Sequence, residues 1–331
     1  MNLAIIGGGS WGTALALVLA PRFGQVRMWV YEEDLAQRMQ STRETSTYLP
    51  GFRIPENVSA SSGLAATLDQ AEIVCGVMPS QHARELYTAM LPNLDPAVIL
   101  VSATKGLEKG SLLRMSEVIE QVCQPCFVPR VGVLSGPTFA KEIAQGEPAA
   151  VVISSRDSAV ARQVQTAFSG PSFRLYSNQD PVGVEIAASL KNVVAIAAGV
   201  CYGLGLGSNV QAALITRGLA EITRLAVAMG GQTRTLAGLA GLGDLVLTCG
   251  GELSRNRKVG LELSKGRAIG EIVGSMQMVA EGVETCGAAV ALGQKFGVDL
   301  PIIQQMHAVL HGSKSPREAL RQLMERSLKD E

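Results

Sequence analysis

Neither sign of charge is in surplus: 29 Lys and Arg stand against 29 Asp and Glu, and charged residues are only 18% of the chain. Binding along a phosphate backbone needs a basic face, so nucleic acid is excluded as a main partner. A small anionic ligand, which needs only a few well-placed cations, is not. The start of the chain lacks basic residues too: Met1-Asn2-Leu3-Ala4-Ile5-Ile6 runs straight into glycine, and no secretory signal is expected. Metal-binding side chains are few. There are three histidines; His307 and His311 are one helical turn apart without an evident third ligand. Of six cysteines only Cys123 and Cys126 have a redox or metal spacing, and no second pair completes a four-thiolate site. The expectation is no metal, and reduced thiols in a cytoplasmic protein. The longest apolar run, 186–207, contains Lys191 and Asn192. A charge in lipid is costly, so this run is read as a buried core helix and not as a membrane span.

What the chain has in quantity is glycine and aliphatic residues. Its 331 residues include 36 glycines, about 11% against a usual ~7%, and 47% are hydrophobic. That glycine content suits tight strand–helix turns or close backbone approach to a ligand. In the first half, short apolar runs at 3–6, 26–30, 73–78, 98–102, 131–134 and 151–154 alternate with helical patterns, and 174–176 is a further candidate strand. Near-continuous apolar strands in βαβα order predict a Rossmann-type, mostly parallel α/β sheet covered on both faces. After about residue 180 only helical patterns remain, at 185–200, 211–229, 260–265, 281–296 and 301–310, with a charged, solvated helix over 315–331. Two domains are expected: a dinucleotide-binding domain over 1–180 and an all-α substrate or catalytic domain over 181–331.

Gly7-Gly8-Gly9-Ser10-Trp11-Gly12 follows the first strand and opens a helix over 13–19. In such a loop Gly7 makes the tight turn, Gly9 admits a pyrophosphate, and Gly12 packs helix on strand. The helix N-terminus then offers free N–H groups to phosphate. The acidic position that holds ribose hydroxyls in NAD-binding proteins falls near Tyr31-Glu32-Glu33. Either glutamate serves there, or both simply start the next helix, where negative charge is favourable.

Ligands of open α/β sheets sit beyond the carboxyl ends of the strands. Among the segments 78–80, 103–106 and 135–138 that follow three of the strands, Lys105 is the one charged side chain. In the second half, Lys191 and Asn192 interrupt an apolar helix. Burial there disfavours the charged amine and suits it to proton transfer near neutral pH. Asp244, set among glycines and leucines in Gly241-Leu242-Gly243-Asp244-Leu245, is a candidate partner for that amine or a helix cap. Ser254-Arg255-Asn256-Arg257 brings two guanidinium groups and short polar neighbours to a loop-to-helix junction, a phosphate-binding composition.

Seven ordered blocks resemble the bacterial type of the glycerol-3-phosphate dehydrogenase family over nearly the whole chain. They are 7–14, Ala103-Thr104-Lys105-Gly106-Leu107, Ser135-Gly136-Pro137-Thr138-Phe139-Ala140-Lys141-Glu142, 190–196, 241–245, 254–257 and Val279-Ala280-Glu281-Gly282. The resemblance implies a Rossmann domain followed by a helical one. It also implies reversible reduction of dihydroxyacetone phosphate to sn-glycerol 3-phosphate with NAD(P)(H), supplying phospholipid synthesis. It implies Lys191 as the acid/base residue, with Asn192 and Thr248 at active-site positions. Lys105, Gly136, Thr138, Lys191, Asp244, Ser254, Arg255 and Asn256 would hold the substrate. Ser10, Trp11, Ala140, Arg255, Val279 and Glu281 would touch the cofactor, with Tyr31, Tyr48 and Lys105 completing that set. Many bacterial members carry His or Arg after the second strand and use NADPH readily. Tyr31-Glu32-Glu33 departs from that pattern, so the choice between NADH and NADPH stays open. Monomer and homodimer are equally compatible with the sequence. Two other readings stand beside this one. A related dehydrogenase acting on an unphosphorylated hydroxy acid would leave 254–257 without a purpose. A non-catalytic dinucleotide sensor would not need Lys191 and Asp244 together.

Overall fold

The computed structural model describes residues 1–45, 47–276 and 279–327. The chain forms two compact units, 1–108 with 113–185, and 109–112 with 186–331. The first is built on one eight-stranded sheet: β1 (Asn2–Ile6), β2 (Gln25–Trp29), β3 (Val58–Ser61), β4 (Ile73–Gly76), β5 (Ile99–Ser102), β6 (Arg130–Ser135), β7 (Ala149–Ser154) and β8 (Phe173–Asn178). Its order is β3-β2-β1-β4-β5-β6-β7-β8, parallel throughout except where β6 meets β7. The first six strands in that order are the doubly wound dinucleotide arrangement, with a topological switch between β1 and β4.

Side chains in β1 alternate between two apolar layers: Leu3 and Ile5 join one buried cluster, Ala4 and Ile6 the other. A sheet buried on both faces explains why β4 and β5 are buried at every position. The edges differ. β3 (Val-Ser-Ala-Ser) alternates buried and partly buried residues, and β8 alternates buried and exposed ones over its first four. β3 is absent from the expectations above because Val58 is its one strongly β-forming residue. In the same unit Arg114 and Glu185 form a buried ion pair at 2.6 Å. Glu185 also accepts from the Ser116 backbone N–H at 2.7 Å, so the charge is hydrogen-bonded on more than one side.

The second unit is helical among its described residues. Helix Pro181–Gly203 enters it, and is long and apolar enough to cross a membrane, but that apolar stretch is wholly buried inside the protein. It packs backbone to backbone on helix Arg255–Ser264: a Cβ at Gly260 would lie 1.9 Å from the Ile196 carbonyl oxygen. This helix starts five residues before the expected 260 because Ser254 caps it, accepting from the Arg257 N–H at 3.2 Å. Helices Asp244–Gly250 and Ile269–Gly274 were not anticipated. Of the expected helix over 315–331, Pro316–Met324 forms, and 328–331 lie outside the described residues.

One buried carboxylate organises part of this unit. Glu221, in helix Ser208–Ala228, accepts from the Ile302 and Ile303 N–H groups at 2.8 and 3.3 Å. These belong to the first turn of helix Pro301–Leu310, where orphan donors need a partner. Burial pushes the Glu221 carboxyl up to about 7, against the pull of those backbone donors. A carboxyl whose folded value exceeds its unfolded one contributes stability that is complete below the unfolded value and lost as pH rises through the folded one. Glu221→Gln removes that titration. Between pH 4.5 and 7 the wild type should therefore lose on the order of 2 kcal/mol relative to the variant. Urea unfolding of both proteins across this range measures it, and parallel curves would contradict it.

Candidate active site

In the first unit the glycine loop joins β1 to helix α1 (Ser10–Leu19). Gly7 has φ +131°, a conformation that side chains resist, and its N–H donates to the Trp29 carbonyl at 3.1 Å. A Cβ at Gly12 would lie 1.8 Å from the Gly7 carbonyl oxygen. The third glycine therefore lets the helix close on its own loop more than on the strand. Around Gly9 the space is open. The helix has Gly9 at its N-cap and no side-chain cap, and a helix N-terminus of this kind favours an anion such as pyrophosphate. These features fit a dinucleotide.

Around the loop, the Ser10 hydroxyl donates to the Tyr48 carbonyl at 2.7 Å, and the Tyr48 phenol donates to Glu32. Trp11 packs on the core cluster that contains β1. Tyr31 is 79% exposed, edge-on to Trp29. Beyond β5 and β6, Lys105 Nζ donates to the Gly136 carbonyl at 3.0 Å and lies 3.1 Å from Thr138 Oγ1. Ala140 is the first residue of the short helix Ala140–Ala144. Lys105, Gly136 and Thr138 are thus brought together. Tyr31 has no direct contact with this group.

The second unit holds a tighter constellation. Lys191, on the buried helix, places Nζ 2.8 Å from Asp244 Oδ1 and 2.7 Å from Thr248 Oγ1. Lys191 is 5% exposed and Asp244 1%. A wide π-helical turn over Leu239–Gly243 delivers Asp244 as the first residue of helix Asp244–Gly250. Its carboxylate pairs with the lysine and does not cap the helix. Thr248, one turn on, donates to the Asp244 backbone carbonyl at 2.6 Å, which leaves its oxygen to accept from the ammonium. The same ion pair bears on Cys249, whose thiol burial pushes up to about 12. It is no nucleophile.

Next to Lys191, Asn192 Oδ1 accepts from the Asn256 amide at 3.0 Å. Asn256 Oδ1 in turn accepts from the Gly282 N–H at 3.0 Å, at the start of helix Glu281–Phe296. The Arg255 guanidinium donates to the Val279 carbonyl at 2.7 Å. Desolvation by the surrounding protein pulls its pKa down against the attraction of Glu281, yet a guanidinium on this exposed residue stays charged. Lys191, Asn192, Asp244, Thr248 and Ser254–Asn256 therefore converge with the segment bearing Val279 and Glu281. The two arginines of the 254–257 block part company: Arg257 stacks on the Tyr202 ring, 4.3 Å from its centroid. Gly282 was not singled out as a site residue. Its signal was the glycine directly after Glu281, at a backbone approach where a Cβ would lie 2.6 Å from the Asn192 carbonyl oxygen.

The doubly wound sheet with its glycine loop defines a Rossmann-type dinucleotide-binding protein, and the buried lysine–aspartate pair marks it as a candidate oxidoreductase. Residues 2–161 match the family described as NAD-dependent glycerol-3-phosphate dehydrogenase N-terminus, and residues 180–321 its C-terminus. A glycerol-3-phosphate dehydrogenase [NAD(P)+] of Koribacter versatilis (strain Ellin345) is 56% identical over 98% of this chain and 97% of its own length. One from Geobacter sp. (strain M21) is 50% identical over 100% and 98%. The crystal structure of glycerol-3-phosphate dehydrogenase from Coxiella burnetii superposes with TM-score 0.92 at 41% identity, covering 98% of this chain and 99% of that one. The chain belongs to the NAD-dependent glycerol-3-phosphate dehydrogenase family.

Proposed function

We infer that this chain is an NAD(P)-dependent glycerol-3-phosphate dehydrogenase that interconverts dihydroxyacetone phosphate and sn-glycerol 3-phosphate and so supplies phospholipid synthesis. The observation that carries the reading, beside the family, is the buried Lys191–Asp244–Thr248 cluster. When bound, the nicotinamide supplies the hydride. As negative charge develops on the ketone oxygen, the Lys191 ammonium stabilises it and donates the proton. In the reverse direction the lysine takes the hydroxyl proton. Asp244 holds Nζ in place and balances its charge, and Thr248 fixes its direction by a second hydrogen bond.

Arg255 and Asn256 hold the substrate phosphate. One Arg255 donor is committed to Val279 and four remain, and one of the two Asn256 amide N–H groups is committed to Asn192. Ser254 presents its hydroxyl at the same helix start. In the first unit Lys105, Gly136 and Thr138 are the residues proposed for substrate binding, Lys105 supplying a cation. Gly7, Gly9, Ser10, Trp11, Gly12, Tyr48, Ala140, Val279 and Glu281 serve the cofactor. The six cysteines are unpaired, which suits the cytoplasm.

Lys191→Ala should lower kcat by roughly 10²–10⁴-fold, the range of a lost general acid, while NADH or NADPH still binds. Steady-state assays with dihydroxyacetone phosphate, alongside a nucleotide titration, test this, and normal turnover would remove Lys191 from the role. Arg255→Ala should mainly raise KM for dihydroxyacetone phosphate, by about tenfold or more for a lost charge-assisted contact. An unchanged KM would take Arg255 out of the phosphate site.

A further inference from the structure

The nucleotide site leaves one chemical choice undecided, the presence or absence of a phosphate on the adenosine ribose. β1 and β2 are parallel neighbours in register, with Ile6 beside Trp29. The chain leaving β2 therefore emerges next to the glycine loop, and the Gly7–Trp29 hydrogen bond joins the two exits. Glu32 is three residues beyond Trp29. It occupies the N-cap position of helix α2 (Glu33–Thr42), yet its carboxylate makes no cap hydrogen bond. It accepts from the Tyr48 phenol at 2.5 Å. Tyr48 is itself anchored by its backbone carbonyl to Ser10, the first residue of α1. Two hydrogen bonds thus tie three segments together: the glycine loop, the end of β2 and the loop after α2. The hydrogen bond to Glu32 also raises the Tyr48 phenol pKa, because losing the proton would break it, with burial and the carboxylate charge acting in the same direction.

We propose that Glu32, held in place by Tyr48, is the residue by which this chain selects NADH over NADPH, and that Tyr48 acts as a positioning residue. The proposal rests on the dinucleotide-binding reading given above. A carboxylate beyond the second strand of this fold accepts hydrogen bonds from the ribose hydroxyls. With one oxygen engaged by Tyr48, the other is left for a hydroxyl. The same carboxylate repels the dianion of a 2′-phosphate. No compensating cation comes from this segment. Glu33 and Asp34 follow in the first turn of α2, and the nearest arginines downstream are Arg38 and Arg43. Arg38 lines a shallow surface depression with Asp34, Gln37 and Ser41. The Arg43 guanidinium donates to the Pro55 carbonyl.

The test is a pair of calorimetric or fluorescence titrations of the full chain with NADH and with NADPH, in the wild type, Glu32→Gln and Tyr48→Phe. Glu32 and Tyr48 both lie at a solvent-facing hydrogen bond, and thermal melts confirm that the variants fold. Wild type should bind NADH at least about tenfold more tightly than NADPH, the scale of one unfavourable charge contact. Glu32→Gln should bring the two Kd values within about threefold, chiefly by tightening NADPH. Tyr48→Phe should move the ratio the same way by less. Equal wild-type Kd values, or a ratio unmoved by Glu32→Gln, overturn the proposal. A ratio moved by Glu32→Gln and untouched by Tyr48→Phe overturns the part assigned to Tyr48. Failure of both nucleotides to support dihydroxyacetone phosphate reduction would instead strike the functional reading, which these binding ratios do not measure.

Discussion

An ammonium and a carboxylate taken out of water each lose several kcal/mol of solvation, and only close pairing with further hydrogen bonds offsets that loss. Lys191 and Asp244 meet the condition at 2.8 Å, with Thr248 supplying a second acceptor to the lysine. Much of the second unit can be understood from this pair. The helix that carries Lys191 is buried and apolar around it, so its charge depends on the polar groups that face it, Asp244 among them. Asp244 arrives from a π-helical turn rich in glycine, a backbone route that a regular helix start would not provide.

The rest of the constellation is assembled by close helix contact. Gly260 against the Ile196 carbonyl lets helix Arg255–Ser264 lie directly on the lysine helix. Its first turn then reaches Asn192, the neighbour of Lys191. Through Asn256 and Arg255 the same turn holds the backbone at Gly282 and Val279. The Gly282 backbone is therefore two hydrogen bonds from Asn192, the residue beside Lys191. In the first unit close approach is again a matter of glycine: Gly7 and Gly12 shape a tight loop at the N-terminus of a helix, where an anion is favoured.

Legibility in the sequence followed the range of the interactions. Strands buried on both faces, such as β4 and β5, are unbroken apolar runs and can be read directly. The edge strand β3 has half the apolar burden and is silent. Lys191 stood out because a charge inside an apolar helix has no cheap explanation, and Asp244 because its neighbours are glycine and leucine. The start of helix Arg255–Ser264 was hidden by its polar opening residues, which serve as cap and as site. Arg257 could not be separated from Arg255 by composition. Its destination is the Tyr202 ring, more than fifty residues away in sequence. Glu221 was invisible for a similar reason: in the sequence it sits in an ordinary helical pattern, and only the fold brings the N-terminus of another helix to it.

In the proposed reaction Lys191 and Asp244 act as one unit, the carboxylate working through the lysine. A double-mutant cycle on kcat for dihydroxyacetone phosphate reduction, using Lys191→Ala, Asp244→Asn and the double variant, measures this most directly. The double variant should be no slower than Lys191→Ala alone, within about threefold, if Asp244 works only through the lysine. Losses that multiply in the double variant would contradict it and give Asp244 a separate part in the reaction.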